Sequence, residues 1–314
     1  GSEMCIRDRN KIGQFMNLIK PKRLQIDDTI GIIAPSGNVN IKKIMQAKSY
    51  FEKAGYKVKL GKNIKKCQNY LAGTDEERLE DLHNAFLDKE INAIICARGG
   101  YGALRLISKI DYNVIKNNPK IFCGYSDITI LNAMFLKRAN LISFSGAMAQ
   151  SDFADENIND FTKKEFFKSL SGENNQITPD TPIVYNSGDT QGILFGGNLA
   201  TITSLCGVDF IPDEKFIFFA EDLNEPVYKI DRYFRQLLNI QKFKENITGI
   251  ILGDFLDIDN QEYFDNLFKE LAEELKIPII GGFPISHSDR KTSIPYGAVA
   301  QLNNNSLIIS SYTI

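Results

Sequence analysis

The sequence predicts an α/β fold in which a parallel sheet with helices on both faces fills the first half of the chain. Four successive strand–turn–helix patterns before residue 140 indicate this fold, because parallel strands need helical crossovers between them. Polar, glycine-rich turns follow three of the strands, at 35–37, 98–102 and 124–127. Ligands bind beyond the carboxyl ends of such strands, so we expect the three turns to converge on one site.

Apolar runs of strand length and amphipathic segments with capping residues locate each element. Gly55 ends the first predicted helix, and Thr74 and Glu77 have the capping-box spacing that begins the second. The predicted strands are 29–34, 56–60, 91–97 and 120–124, and the predicted helices are 41–54, 75–87, 103–108 and 128–138.

The chain divides by composition into four parts. We interpret residues 1–20, with mixed charge and little periodicity, as a tag remnant or a disordered N-terminus. Residues 21–150 form the predicted N-terminal domain, the polar stretch 151–191 a connecting segment, and 192–314 a C-terminal domain. In this last part the predicted strands are 216–220, 249–253 and 278–281, the predicted helices are 228–239 and 263–275, and one or two closing strands end the chain.

Composition argues against several classes of function. The net charge is −2 and no basic run is present, so we expect no nucleic-acid binding. No apolar stretch approaches the length of a membrane span, and the N-terminus lacks the apolar region of a signal peptide, so we expect a cytoplasmic protein. Two histidines and five cysteines without paired spacing do not predict a metal site.

Ser126, in the segment Gly124-Tyr125-Ser126-Asp127, is the candidate nucleophile. A serine on a sharp strand-to-helix turn exposes its hydroxyl above the sheet, next to the N–H groups and the positive dipole end of the helix. The G-x-S-x-G elbow pattern is incomplete, because Ile128 occupies its last position. The residues alone leave two interpretations open, a nucleophile or an N-cap of the following helix.

A histidine and two acidic residues in the second half are candidates for a base and its orienting carboxylate. His287 lies in a polar loop, which is typical either of a general base or of a solvated surface histidine. Glu221 follows the strand at 216–220 directly and is placed to orient an imidazole, with Glu225 as the fallback. A solvated acidic loop is the alternative for both.

The turn Arg98-Gly99-Gly100-Tyr101-Gly102 permits close approach of the backbone to a ligand. It has the flexibility to offer an N–H group to an oxyanion or to surround a phosphate. It does not match the P-loop pattern, and no G-x-G-x-x-G follows the first strand, so nucleotide binding is disfavoured.

Six segments, in the same order along the chain, resemble the LD-carboxypeptidase family of serine peptidases, which includes muropeptide carboxypeptidases and microcin-immunity peptidases. The resemblance spans about residues 24–314. It implies a flavodoxin-like parallel-sheet N-terminal domain joined to a smaller β-rich C-terminal domain. The matching segments are 32–36, 97–102, 124–127, 196–199, 221–232 and 287–297.

The resemblance also implies a catalytic triad of Ser126, His287 and Glu221, with the serine in one domain and the other two residues in the second. The reaction it implies is acyl transfer to water, which needs no metal or organic cofactor. The backbone N–H of Asp127, together with that of Gly99 or Gly100, would bind the oxyanion.

The substrate implied by the resemblance is a murein tetrapeptide that loses its terminal D-alanine. Arg98 is then a candidate for binding the product carboxylate or else a structural residue, and Tyr101 is a second candidate substrate contact. Members often carry His-Gly-Pro where this chain has Ser145-Gly146-Ala147, which puts substrate preference near that loop in question.

Two other functions remain open. An immunity-type peptidase would hydrolyse aminoacyl or peptidyl nucleotides, although the absence of tryptophan disfavours stacking on a base. A non-catalytic binding protein on the same fold is the other alternative, and the complete set of three triad residues argues against it. We also expect a homodimer.

Overall fold

Strands and capped helices alternate through the first half of the chain. The structure is a computed structural model, which describes residues 18–154, 157–303 and 305–314. The elements of this half are β1 (Thr29–Ile33), α1 (Ile41–Lys53), β2 (Lys57–Leu60), α2 (Asp75–Leu87), β3 (Ile91–Cys96), α3 (Tyr112–Asn117), β4 (Ile121–Cys123), α4 (Thr129–Ala139) and β5 (Ser143–Ser145).

Side-chain caps from Asn40, Thr74 and Asp111 begin α1, α2 and α3. The predicted capping box of α2 is confirmed, since the Thr74 side chain accepts from the Glu77 backbone N–H while the Glu77 side chain accepts from that of Thr74. The helix predicted at 103–108 is wrong in extent. Only a 3₁₀ turn at Ala103–Arg105 forms there, because backbone bonds such as Leu106 N–H to Ala103 O span three residues instead of four, and Asp111 caps a separate helix, α3.

The first sheet has the predicted architecture. Its parallel strands lie in the order β2-β1-β3-β4-β5, which is the flavodoxin-like order. The predicted fold class is therefore confirmed. The turns after β1, β3 and β4 extend from the same, carboxyl edge of the sheet, and the strand order reverses between β1 and β3, where such folds bind ligands.

Most of the segment interpreted as a tag remnant or disordered N-terminus, residues 1–17, lies outside the described residues. Ile19, close to the end of that segment, contacts the first sheet. Its backbone N–H donates to Asn140 O at 2.7 Å, and its carbonyl accepts from the N–H of Ile142 at 3.0 Å.

The second half of the chain forms a mixed sheet with its own helices, and it adds one strand to the first sheet. Its elements are α5 (Asp160–Leu170), β6 (Gln176–Ile177), β7 (Ile183–Asn186), β8 (Thr190–Asn198), α6 (Leu199–Thr203), β9 (Phe216–Leu223), α7 (Val227–Leu238), α8 (Gln241–Asn246), β10 (Ile247–Leu256), α9 (Gln261–Leu275), β11 (Ile279–Gly281), β12 (Ile294–Tyr296), β13 (Val299–Asn303) and β14 (Ser306–Ile309).

The order in this sheet is β6-β14-β13-β8-β9-β10-β11-β7, with β8 to β11 parallel to one another. Two strands of the predicted connecting segment, β6 and β7, lie at its two edges. One strand of the second half belongs to the first sheet instead. This strand, β12, pairs antiparallel with β5. The second half of the chain thus supplies the edge strand of the first sheet.

Apolar side chains from both sheets form one continuous buried cluster. Phenylalanines are prominent in the second sheet, where the Phe195 ring lies 5.0 Å from that of Phe216 in an edge-on arrangement. No helix in the described part of the chain combines the length and the hydropathy that a bilayer crossing requires.

Candidate active site

Ser126 occupies a strained position at the end of β4. Its φ is +62°, in the left-handed region that costs a non-glycine residue about 1 kcal/mol or more. A 3₁₀ turn, Ser126–Ile128, leads from it directly into α4. Neither that turn nor α4 has a side-chain cap, so the interpretation of Ser126 as an N-cap is wrong. The strained turn instead holds the hydroxyl, half-buried, above the sheet.

Gly99 packs directly against this turn. A Cβ placed on Gly99 would lie only 2.8 Å from Ser126 Oγ and 3.2 Å from the backbone nitrogen of Asp127. Any larger residue would therefore displace the serine, which explains the glycine at this position. The contact brings the turn at 98–102 alongside the hydroxyl of Ser126 and the N–H of Asp127, as an oxyanion site requires.

The carboxylate of Asp127 ties the three predicted turns together. It accepts a hydrogen bond from Ser36 Oγ, in the turn after β1, and one of 2.9 Å from the backbone N–H of Ala103, after β3. Burial raises the pKa of this carboxyl, and the hydrogen bond from Ser36 opposes the rise. The predicted convergence of the turns at 35–37, 98–102 and 124–127 is therefore confirmed.

Glu221 and His287 come together although 66 residues separate them. His287 Nδ1 lies 2.6 Å from Glu221 Oε2, and Glu221 is only 3% exposed at the carboxyl end of β9. His287 belongs to an irregular segment, residues 282–293, between β11 and β12. The fallback carboxylate does not take this place: Glu225 Oε2 lies 3.2 Å from Lys229 Nζ.

This acid–imidazole pair lies beside the Ser126 turn. The ring of Tyr125, the residue before Ser126, meets the His287 ring edge-on with 5.0 Å between centroids. On the other side, the backbone N–H of Asn198 donates to Thr129 Oγ1 at 3.3 Å, and its amide donates to Asp222, next to Glu221, at 2.9 Å. Strand β9 and helix α4 are thereby held in fixed relation.

The hydroxyl of Ser126 and the imidazole of His287, both in the described part of the chain, make no hydrogen bond to each other in this structure. Such bonds are often long in enzymes without substrate and tighten when the substrate binds. Because Glu221 engages Nδ1, Nε2 is the ring nitrogen of His287 that remains available to accept a proton.

The residues predicted to contact substrate border the same turns. Arg98 is half-buried, and its guanidinium donates to Asn38 O at 3.4 Å and forms no ion pair with any described carboxylate. Gly100 packs on Gly37 rather than on the serine. Tyr101 is 47% exposed.

Tyr70 was not predicted from the sequence. Its ring lies 5.7 Å from that of Tyr101 in an edge-on arrangement, and it is 61% exposed. The loop that carries it reaches the site because Leu71 bridges to Gly37. No periodicity marks this loop, so only the fold reveals the pairing.

A buried cluster beside His287 was also missed. It consists of Tyr125, Asp152 and Lys291, whose contacts are described below. Elsewhere in the described residues, no group of three or more His, Cys, Asp and Glu side chains is arranged to hold a metal ion.

Comparison with known families matches both halves of the chain. The LD-carboxypeptidase N-terminal domain matches residues 30–146, and the LD-carboxypeptidase C-terminal domain matches residues 191–302. The chain belongs to the LD-carboxypeptidase family. It is accordingly a serine-type carboxypeptidase, and the predicted family and enzyme class are confirmed.

Individual relatives of this LD-carboxypeptidase support the same family assignment. It is 37% identical to a probable murein peptide carboxypeptidase of Bacillus subtilis, over 93% of each chain. It is 30% identical to a murein tetrapeptide carboxypeptidase of Pseudomonas aeruginosa, over 90% of this chain and 95% of that one. A solved structure of the microcin C7 self-immunity protein MccF superimposes with a TM-score of 0.85 at 25% identity, covering 94% of this chain and all of the other.

Proposed function

We propose that this LD-carboxypeptidase releases the terminal D-alanine from murein tetrapeptides, with Ser126 as nucleophile, His287 as general base and Glu221 as orienting carboxylate. The observation that carries the proposal is the 2.6 Å contact between Glu221 and His287 beside the strained Ser126 turn. The names of the two murein peptide carboxypeptidase relatives support the substrate.

In this mechanism His287 Nε2 takes the proton of Ser126 as Oγ attacks the scissile carbonyl carbon. Glu221 accepts the Nδ1 proton, which fixes the tautomer and stabilises the imidazolium. His287 then returns the proton to the nitrogen of the leaving D-alanine as the C–N bond breaks. Water attacks the acyl-enzyme by the same route and regenerates the serine.

The oxyanion of each tetrahedral intermediate would be bound by backbone N–H groups. We assign the N–H of Asp127 and that of Gly99 or Gly100 to this role, because Gly99 packs against both Ser126 Oγ and the Asp127 nitrogen. The buried Asp127 carboxylate holds the turn without entering the reaction.

Arg98 would bind the carboxylate of the D-alanine. Its guanidinium lies next to the glycine turn and has no carboxylate partner among the described residues, so it is available for a charge-assisted hydrogen bond. Tyr101, exposed on the same turn, would contact the rest of the peptide.

The test is incubation of the purified protein with a murein tetrapeptide, followed by mass spectrometry of released D-alanine. An all-L peptide of the same length serves as the matched control, and we expect it to be cleaved much more slowly. Equal rates on both peptides would contradict LD specificity.

A second candidate is hydrolysis of an aminoacyl or peptidyl nucleotide. The fold similarity to the microcin C7 self-immunity protein favours it, and the exposed rings of Tyr70 and Tyr101 offer stacking surfaces near the site. An aminoacyl-sulfamoyl nucleotide cleaved faster than the tetrapeptide would decide for this candidate. The homodimer and the cytoplasmic location stay predictions.

A further inference from the structure

A buried ion pair lies behind the candidate active site. Lys291 Nζ is 2.5 Å from Asp152 Oδ1, and the two residues are 3% and 8% exposed. The same ammonium donates to the hydroxyl of Tyr125 at 3.1 Å and lies 4.5 Å from the centre of its ring. The second oxygen of Asp152 accepts from the backbone N–H of Met148 at 2.7 Å.

Stability does not explain this arrangement well. Burying two charges costs several kcal/mol per ion, and a well-packed apolar pair of the same volume is often equally stable or more stable. The backbone around Lys291 is in any case held by other contacts. Its N–H donates to Thr162 Oγ1 at 2.8 Å, and Ser169 Oγ donates to Ser293 O at 2.8 Å.

The location of the pair indicates a different role. Tyr125 directly precedes Ser126, whereas Lys291 lies four residues after His287. The Lys291 ammonium lies over the Tyr125 ring, and the centroids of the Tyr125 and His287 rings lie 5.0 Å apart in an edge-on arrangement. The orientation of this ring therefore depends on the ion pair and bears on the imidazole.

We infer that Lys291 and Asp152 are positioning residues, which hold the Tyr125 ring against His287 and thereby direct the imidazole toward Ser126. Lys291 supplies the hydrogen bond that fixes the tyrosine, and Asp152 neutralises the ammonium so that it does not repel the imidazolium formed during the reaction. The inference rests on the proposed triad and goes beyond it, since neither residue touches the substrate.

The test is the double variant Lys291→Met/Asp152→Asn. Methionine keeps the length of the lysine, and asparagine keeps an oxygen for the Met148 N–H, so no buried charge is left unpaired. We expect kcat to fall roughly 10- to 100-fold with KM little changed, as expected for a misdirected catalytic group. The melting temperature should stay within a few degrees of that of the wild type.

A matched control is Lys120→Met. Lys120 is a second buried lysine, whose ammonium donates to the carbonyls of Asp88 and Ile91 far from the site. This variant should lose stability and keep its kcat. A double variant that melts lower yet turns over at the wild-type rate would assign Lys291 and Asp152 a purely structural role and overturn the inference.

Labelling by a fluorophosphonate separates this inference from the choice of substrate. The probe forms an Oγ–phosphorus bond to an activated serine as fluoride leaves, and it needs no peptide. We expect wild type to be labelled at Ser126 and the double variant to be labelled more slowly, in proportion to its loss of kcat. Unchanged labelling in the double variant overturns the inference, whatever the substrate is.

Two further outcomes are distinguishable. Labelling of the wild type at Ser126 without release of D-alanine would refute only the proposed substrate, and the labelling rates would still decide the role of Lys291. Absence of labelling at Ser126 in the wild type would refute the triad and the positioning role together.

Discussion

The Ser126 turn and the segment that carries His287 are held by different kinds of contact. Ser126 leaves a buried strand of a parallel sheet, and its turn is fixed by groups at the ends of neighbouring strands, namely Gly99 and the partners of Asp127. Residues 282–293, all of them described, form no helix or strand. Side chains of distant elements fasten them, such as Thr162 of α5, which accepts from the Lys291 N–H.

The two sides of the site owe their precision to different parts of the structure. The position of Ser126 is a property of the sheet, so single substitutions away from the turn should disturb it little. The direction of the imidazole depends on Glu221, Tyr125 and Lys291, which come from three separate parts of the chain. We therefore expect the base side of the site to be the more easily misaligned.

The largest effect is expected on the nucleophile side. Ser126→Ala removes the attacking oxygen, and turnover should fall about 10⁴-fold or more. The fold should survive, and the melting temperature should rise slightly or stay constant, because the hydroxyl makes no cap. Measurement of D-alanine release and of thermal unfolding checks both. A folded variant with near-wild-type release would refute the assignment.

The next largest effect tests the base side. Glu221→Gln removes the charge that faces His287 and should lower kcat roughly 10³-fold, since the wrong imidazole tautomer becomes favoured. In the background of His287→Ala the same change should cost little more, because residues that act as a unit are not additive. A double-variant cycle measures this. Losses that simply multiply would show that Glu221 acts independently of the imidazole.

Arg98 is expected to affect binding rather than chemistry. Arg98→Gln keeps a donor but removes the charge, and KM for the tetrapeptide should rise roughly 10-fold, as expected for the loss of a hydrogen bond to a charged group. The kcat should change much less. Initial rates over a range of tetrapeptide concentrations separate the two. A lower melting temperature with unchanged KM would support the structural interpretation of Arg98.

The contrast between the Ser126 turn and the His287 segment also explains what could be predicted from the sequence. The Ser126 turn has a local pattern, an apolar strand that runs into a serine and a helix, and the glycines of 98–102 mark a close approach. The partnership of Glu221 and His287 required the family resemblance, because each residue alone also fits a solvated loop. Asp152 and Lys291 are 139 residues apart, and no pattern in either segment reveals their contact.

A smaller effect concerns stability and pH at Asp222, which follows Glu221 on β9. Burial raises the pKa of this carboxyl to about 6, despite hydrogen bonds from Ala200, Leu223 and Asn198. Because the folded pKa exceeds the unfolded value of 3.8, the contribution of Asp222 to folding is complete below pH ~4 and is lost as the pH rises through 6. The loss should be about 3 kcal/mol.

Urea unfolding of wild type and Asp222→Asn at pH 4 and pH 7 measures this contribution. Asparagine does not titrate, so the free energy of unfolding of wild type should fall by about 2 kcal/mol more between the two pH values than that of the variant, because the unfolded Asp222 is already partly ionised at pH 4. All other titrating groups should change the free energy of unfolding of the two proteins equally. Parallel changes in the two proteins would show that Asp222 titrates alike in the folded and unfolded states.

The smallest effect is expected at Glu225, the next acidic residue after Glu221 and Asp222. Its Oε2 lies 3.2 Å from Lys229 on the next turn, a partly exposed ion pair that contributes about 0–1 kcal/mol. Glu225→Gln makes the same chemical change as Glu221→Gln, four residues away, and is therefore its matched control. We expect kcat/KM to change less than about twofold, because the charge that faces the imidazole is retained.

Measured side by side, the two variants test whether the site depends on one particular carboxylate or on the negative charge of the whole loop. If Glu225→Gln lowered kcat as strongly as Glu221→Gln, the electrostatic field of the loop rather than the single hydrogen bond to His287 would support the base, and the contrast between the two sides of the site would no longer hold.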